Sequence, residues 1–222
     1  MSPLSNTDRL LELPLFLGMS RSDLNDVAAV TQCSIRRVSS GKIIVAEDDV
    51  CTQLLFLLEG EMTTERSSAD NGYTLKELLR APDVLQPECL FGLTQRYSRT
   101  FVTLNKCQIL AIDKTEVMRL MEQYSIFRLN FINIVSTQAQ KQARMPWRNA
   151  PQSIRQKIRR FTERHCMRPA GYKCLNIKME RLAREIGESR LNVSKELRRM
   201  QGEGLITLKR GEIGIPALEM IN

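Results

Sequence analysis

The stretch GESRLNVSKELRRM, Gly187 to Met200, carries four cations: Arg190, Lys195, Arg198 and Arg199. On a helix advancing about 100° per residue, Val193, Leu197 and Met200 fall together on one face. Lys195, Arg198, Arg199, Asn192 and Leu191 fall away from it, so one side belongs in a core while the other is offered to an anionic partner. Upstream, Met179, Leu182, Ala183 and Ile186 share a second helical face. Between the two helices, Gly187 permits a turn that other residues resist, and Ser189 is placed to cap the second helix. The pattern predicts a helix-turn-helix. Beyond it, GLITLKRGEIGI reads as two short strands around a Lys209-Arg210-Gly211 turn, a wing suited to phosphate contact.

Charge supports a polyanionic partner. From Pro146 onward there are 17 Lys+Arg against 8 Asp+Glu, which is +9, and the first 145 residues hold 16 against 17, which is −1, giving the net +8 of the 222-residue chain. A neutral module joined to a basic one is the footprint of nucleic-acid binding. ARMPWRNAPQS, Ala143 to Ser153, marks the junction, because Pro146 cannot continue a helix.

Other chemistries have little support. The six cysteines (Cys33, Cys51, Cys89, Cys107, Cys166, Cys174) are scattered and read as cytosolic thiols, with no grouping that would surround a metal or cluster. The single histidine, His165, is expected near the carbonyl end of a helix rather than in a triad. No metal or cofactor is expected. The apolar stretch LLELPLFLGM is interrupted by Glu12 and Pro14 and is too short to span a membrane. A cytoplasmic protein with no membrane partner and no enzymatic activity is expected.

The elements ahead of the basic region must carry any sensor. Ser20 followed by Asp23 predicts a capped helix through DLNDVAAV. CSIRRVSSGKIIVAE, TQLLFLLEGEMTTER, YTLKELL, RTFVTLN and CQILAID are strand-like runs separated by turn residues, the rhythm of a small jelly roll or barrel. From Lys114 the pattern turns helical. In the long helix starting near Ser125, Ile126, Leu129, Ile132 (or Asn133), Val135 and Ala139 form an apolar stripe, widened by Phe127, Phe131 and Ile134. Such a helix packs one face on its own domain and offers another to a second copy.

With SSGKIIVAE and LLFLLEGE ahead of a long helix and LAREIGESRLNVSKELRRMQGEGLI behind it, the chain resembles the Crp/Fnr family of bacterial transcription regulators over nearly its whole length. The resemblance implies an α+β architecture. Its expected parts are a cyclic-nucleotide-binding-like β-roll effector domain at 1–123, a dimerisation helix at 124–145 and a winged helix-turn-helix domain at 146–222. It implies a homodimer whose recognition helices enter successive major grooves of double-stranded DNA, with RNA polymerase a candidate partner and an unknown small-molecule effector. The expected DNA-binding set is Ser189, Arg190, Leu191, Asn192, Ser194, Lys195, Arg198, Arg199, Lys209 and Arg210. Arg190 matches the family arginine that reads guanine, and Lys195 matches a position that usually carries a cation. Leu191 departs from the glutamate common in the family; it cannot accept from cytosine but can touch a thymine methyl.

In QPECLFGLTQRYSRTF, Glu88 matches the family's ribose-binding carboxylate and Arg99-Thr100 its phosphate-binding pair, while Pro87 replaces the glycine. The replacement removes an N–H and stiffens the chain where a ligand must approach. The roll is therefore expected not to use cyclic AMP. Two other readings stand beside this one: a cyclic-nucleotide signalling module whose basic tail binds protein, and a cupin-type enzyme, which the single histidine disfavours.

Overall fold

The computed structural model describes residues 10–30 and 33–221. Residues 1–9, counted in the expected roll, and Asn222 lie outside them. The chain divides into two compact units, Met1–Met62 with Leu79–Pro146, and Thr63–Leu78 with Trp147–Asn222. The segment 63–78, expected within the effector domain, thus belongs to the unit that carries the basic helices.

In the first unit, helix α1 (Arg21–Val30) begins where the Ser20 hydroxyl accepts from the Asp23 N–H at 3.1 Å. The strands are β1 (Cys33–Val38), β2 (Ile43–Val45), β3 (Gln53–Glu59), the start of β4 (Glu61–Ser67), the end of β5 (Tyr73–Arg80), β6 (Asp83–Leu85), β7 (Thr100–Thr103) and β8 (Cys107–Asp113). One sheet runs β1-β8-β3-β6 and is antiparallel throughout. Against it stands the β2-β7 pair, where Leu104 N–H donates to Glu61 at the start of β4. Leu54–Leu57 of β3 and Cys107–Ile112 of β8 are buried without a break, which is why QLLFLLE and CQILAID read as continuous apolar runs rather than alternating ones. Gly60, at φ 99°, makes the turn into β4, and a Cβ there would meet the Lys106 carbonyl at 2.6 Å, so no other residue fits.

Helices α2 (Lys114–Gln123) and α3 (Ser125–Arg144) follow. Phe127 packs its ring on Phe16 at 5.1 Å, and Phe131 meets Phe91 edge-on at 5.6 Å. The Asn130 side chain donates to the Leu15 and Leu17 carbonyls. These contacts fix one face of α3 to its own unit. Ile126, Leu129 and Ile132 lie 37%, 56% and 47% exposed, with Asn133 and Ala139 exposed and Val135 half-buried.

In the second unit the sheet order is β10-β11-β9-β5-β4, with β9 at Lys173–Ile177, β10 at Thr207–Lys209 and β11 at Glu212–Ile215. Strand β5 pairs antiparallel with β9, Tyr73 opposite Ile177, Leu75 opposite Leu175 and Glu77 opposite Lys173. Leu75 thereby joins a core with Phe161, Leu182, Val193, Leu197 and Ile215, a burial that stabilises the unit by about 1.5–3 kcal/mol. Glu77 and Lys173 form a buried ion pair at 3.3 Å. The remaining capacity of both is met, since Glu77 accepts from the Met167 and Arg168 N–H groups and Lys173 donates to the Ala170 carbonyl.

Helix α4 (Ile154–His165) is capped by the Ser153 hydroxyl, which accepts from Gln156 N–H. It ends at His165, whose Nδ1 lies 2.7 Å from the Phe161 carbonyl and whose Nε2 lies 2.9 Å from the Tyr73 hydroxyl. Helices α5 (Met179–Ile186) and α6 (Arg190–Gly202) complete the unit.

Candidate nucleic-acid interface

The turn between α5 and α6 is built as its residues dictate. Gly187 adopts φ 65°, with its N–H donating to the Arg184 carbonyl and that of Glu188 to Ala183, which closes α5. The Ser189 hydroxyl then accepts from Asn192 N–H at 3.2 Å and opens α6. Val193, Leu197 and Met200 are fully buried, whereas Leu191 is 64% exposed. Ser189, Arg190, Asn192, Lys195, Arg198 and Arg199 are also exposed, and Ser194 is half-buried. The wing turn holds Gly211 at φ 75° and leaves Lys209 and Arg210 exposed.

Three of these cations have partners. Arg190 lies 3.8 Å from Glu180, Arg199 3.1 Å from Glu203 and Lys209 3.3 Å from Glu212. All three pairs are solvated and worth about 0–1 kcal/mol, so a phosphate can displace the carboxylates at small cost. Among the described residues, no carboxylate pairs with Lys195, Arg198 or Arg210.

Arg155, absent from the expected site, positions the helix. Its guanidinium reaches from α4 to Glu196 on α6 and to Glu203 just beyond it, each at 2.8 Å. The hydrogen bond from Arg155 holds the Glu203 carboxyl below its usual range, and the two carboxylates raise the arginine in turn. Nothing in the sequence marks Arg155, because it stands among other cations 41 and 48 residues from its partners.

The candidate effector residues lie in the first unit. Pro87 opens a short 3-10 turn, Pro87–Cys89, preceded by Gln86 in the left-handed region at φ 41°. The Gln86 side chain is fastened to Ser98 twice, donating to its hydroxyl at 2.6 Å and accepting from its N–H at 3.1 Å. Sequence reasoning missed both residues, since a left-handed glutamine has no signature. Arg99 is buried, and the Thr100 hydroxyl accepts from the Glu47 N–H at 3.0 Å. Glu88 accepts a long 3.4 Å hydrogen bond from Gln86 on Oε1, while its Oε2 is buried with no hydrogen-bond partner among the described residues. Nearby, burial and then the Glu88 charge push the Cys89 thiol up to about 11, and burial raises Cys51. Both are therefore protonated at neutral pH. No group of three or more metal-ligating side chains occurs among the described residues, and no described helix is long and apolar enough to cross a membrane.

Comparison with known proteins agrees with this architecture. Residues 35–124 match the family model of the cyclic nucleotide-binding domain. No curated protein sequence matches the chain. Among solved structures, a Crp/Fnr-family transcriptional regulator from Eubacterium rectale is similar at TM-score 0.51 and 21% identity, covering 95% of this chain and 98% of that one. The c-di-GMP-responsive global regulator CLP of Xanthomonas campestris aligns at TM-score 0.51 and 16% identity, over 89% of this chain and 99% of its own. The sensor domain of the regulator DNR from Pseudomonas aeruginosa aligns at TM-score 0.52 and 14% identity, over 67% of this chain and 95% of its own. Residues 35–124 thus resemble a cyclic nucleotide-binding domain, and the chain has the fold seen in the Crp/Fnr transcription regulators.

Proposed function

We propose that the chain is a sequence-specific DNA-binding transcription regulator that reads a two-fold symmetric site as a homodimer. The observation that carries this reading is α6, anchored by three fully buried residues and turning Arg190, Leu191, Lys195 and Arg198 outward. Its exposed cations supply phosphate contact, and Arg190 supplies a bidentate donor for a guanine edge. Symmetry comes from the outward stripe of α3, where Ile126, Leu129 and Ile132 leave an apolar row that a second copy covers. The half-sites are then about 34 Å apart, one turn of duplex.

The roll of the first unit is the effector domain in this reading, and its ligand is not cyclic AMP. Pro87 lacks an N–H, and the Gln86 carboxamide is tied to Ser98, whose N–H it takes up. Enrichment of bound sequences from a random duplex pool tests the reading. A palindromic consensus, together with a dimer in sedimentation, is the expected result. Salt-dependent binding without any consensus, or a monomer with and without DNA, refutes it.

A further inference from the structure

A second cationic feature of the DNA-reading unit lies outside α6. A cleft of 470 Å³ opens between the segment 148–152 and the outward face of α4. Gln156, Arg159, Arg160 and Glu163 recur at helical spacing and so share that face, opposite the buried Ile158 and Phe161. The overlying segment is held by Arg148, which meets Glu163 Oε2 at 2.8 Å, and by Arg160, which donates to the Asn149 carbonyl. Gln152 N–H also donates to Gln156 Oε1 at 2.9 Å.

The charges within the cleft do not balance. Arg159 meets the other oxygen of the same carboxylate, Glu163 Oε1, at 2.8 Å. One carboxylate therefore serves two guanidiniums, and Arg160 is bonded to a neutral carbonyl. Arg159 also donates to the Ile221 carbonyl at 2.6 Å and its charge reaches Glu219 outside the lining; among the lining side chains themselves, three arginines stand against one glutamate, an excess of two positive charges on the cleft wall. Each guanidinium has five N–H donors, more than these contacts use, and its fork matches phosphate oxygens. The space falls within the 300–1,000 Å³ typical of small-molecule sites and exceeds what a bare ion needs. Ala150 and Pro151 supply an apolar wall beside the cations.

We propose that this cleft binds a small phosphate monoester of the sugar-phosphate or mononucleotide class, its dianionic phosphate between Arg148, Arg159 and Arg160 and its organic part against Ala150 and Pro151. The excess of two charges suits a terminal phosphate, whereas a backbone phosphodiester brings only one. The proposal is independent of DNA reading by α6.

The chain carries its own reporter. Trp147 is the single tryptophan, precedes Arg148 and is 89% exposed. Its emission in the full-length protein is titrated with ribose 5-phosphate, with uncharged ribose and monoanionic dimethyl phosphate as controls, at constant ionic strength. A saturable change with ribose 5-phosphate alone is expected. Arg160→Gln is expected to weaken it about tenfold or more, the loss of a charge-assisted contact, and Arg164→Gln, outside the cleft, to leave it unchanged. Thermal unfolding of each variant verifies that it is folded. Should Arg160→Gln fail to fold, Arg160→Lys keeps the charge without the fork and is expected to weaken binding by a smaller factor. The proposal is overturned by no saturable change up to about 10 mM, by an equal response to dimethyl phosphate, or by folded Arg160 variants that bind as the wild type does. If the cleft instead engages the DNA backbone, ribose 5-phosphate leaves Trp147 unchanged and Arg160→Gln lowers the salt slope of duplex binding; that result also overturns it.

Discussion

The Glu77 carboxylate lies 3.3 Å from the Lys173 ammonium, with the two side chains 3% and 2% exposed, between strands almost a hundred residues apart in sequence. Each partner also has backbone hydrogen bonds, so neither charge is left to water. Removing one strands the other: Lys173→Met is expected to destabilise the protein by about 3–5 kcal/mol, and Glu77→Gln/Lys173→Met together by distinctly less. Chemical denaturation of the single and double variants measures both. Equal losses for the two would show that the pairing is not what matters at this site.

Arg190 and Arg210 are expected to fail in different ways. Arg190→Ala weakens binding to the selected site by about 1–3 kcal/mol and relaxes preference at one guanine, whereas Arg210→Ala weakens binding to every sequence alike. Affinities on selected and random duplex, at a stated salt concentration, separate the two behaviours.

Leu191 stands 64% exposed among the cations of α6 and carries no load in the core. Leu191→Glu is therefore expected to leave the unfolding transition in place, within about 0.5 kcal/mol, and to change the base preferred in each half-site by bringing an acceptor for cytosine. Repeating the sequence selection with the variant tests this. An unchanged consensus would make Leu191 a spacer.

Cyclic AMP and cyclic GMP are expected to show neither micromolar binding nor any tightening of DNA binding. A cyclic phosphate needs convergent donors, and here Pro87 has no N–H to give while Ser98 N–H is taken by Gln86. Calorimetric titration decides the matter, and micromolar binding abolished by Arg99→Ala would show that Pro87 is tolerated.

At the tip of the β4-β5 hairpin, the Ser68 hydroxyl, the Gly72 N–H and then Arg181 hold the Asp70 carboxyl at about 2, below its ordinary 3.8. A depressed folded-state value means the stabilisation is complete above about pH 4 and is lost as pH falls toward 2. Protection of the Gly72 and Tyr73 amides, the exchange rate taken relative to the intrinsic rate at each pH, is expected to fall over that window in the wild type and to stay level in Asp70→Asn.

What could be read in advance was local. The stripe of Val193, Leu197 and Met200, the Ser189 cap and the Gly187 turn each lie within one helix or one turn, where spacing determines geometry. The strand runs of the roll were equally legible, because β3 and β8 are apolar along their lengths. The β5-β9 pairing was not, since YTLKELL has the same alternation whichever sheet it joins. Gln86 and Arg155 were also hidden. One adopts a backbone conformation that its side chain does not announce, and the other matters through carboxylates distant in sequence.

The membership of residues 63–78 in the second unit sets the order in which that unit can be completed during synthesis. Leu75 leaves the ribosome about a hundred residues before its partner Leu175, several seconds at ordinary translation rates. Until then β5 has an open edge, and its buried residues have no core to enter. The second unit thus folds late and through contacts of long sequence separation, which makes its formation slow and its nascent hairpin the segment most in need of protection.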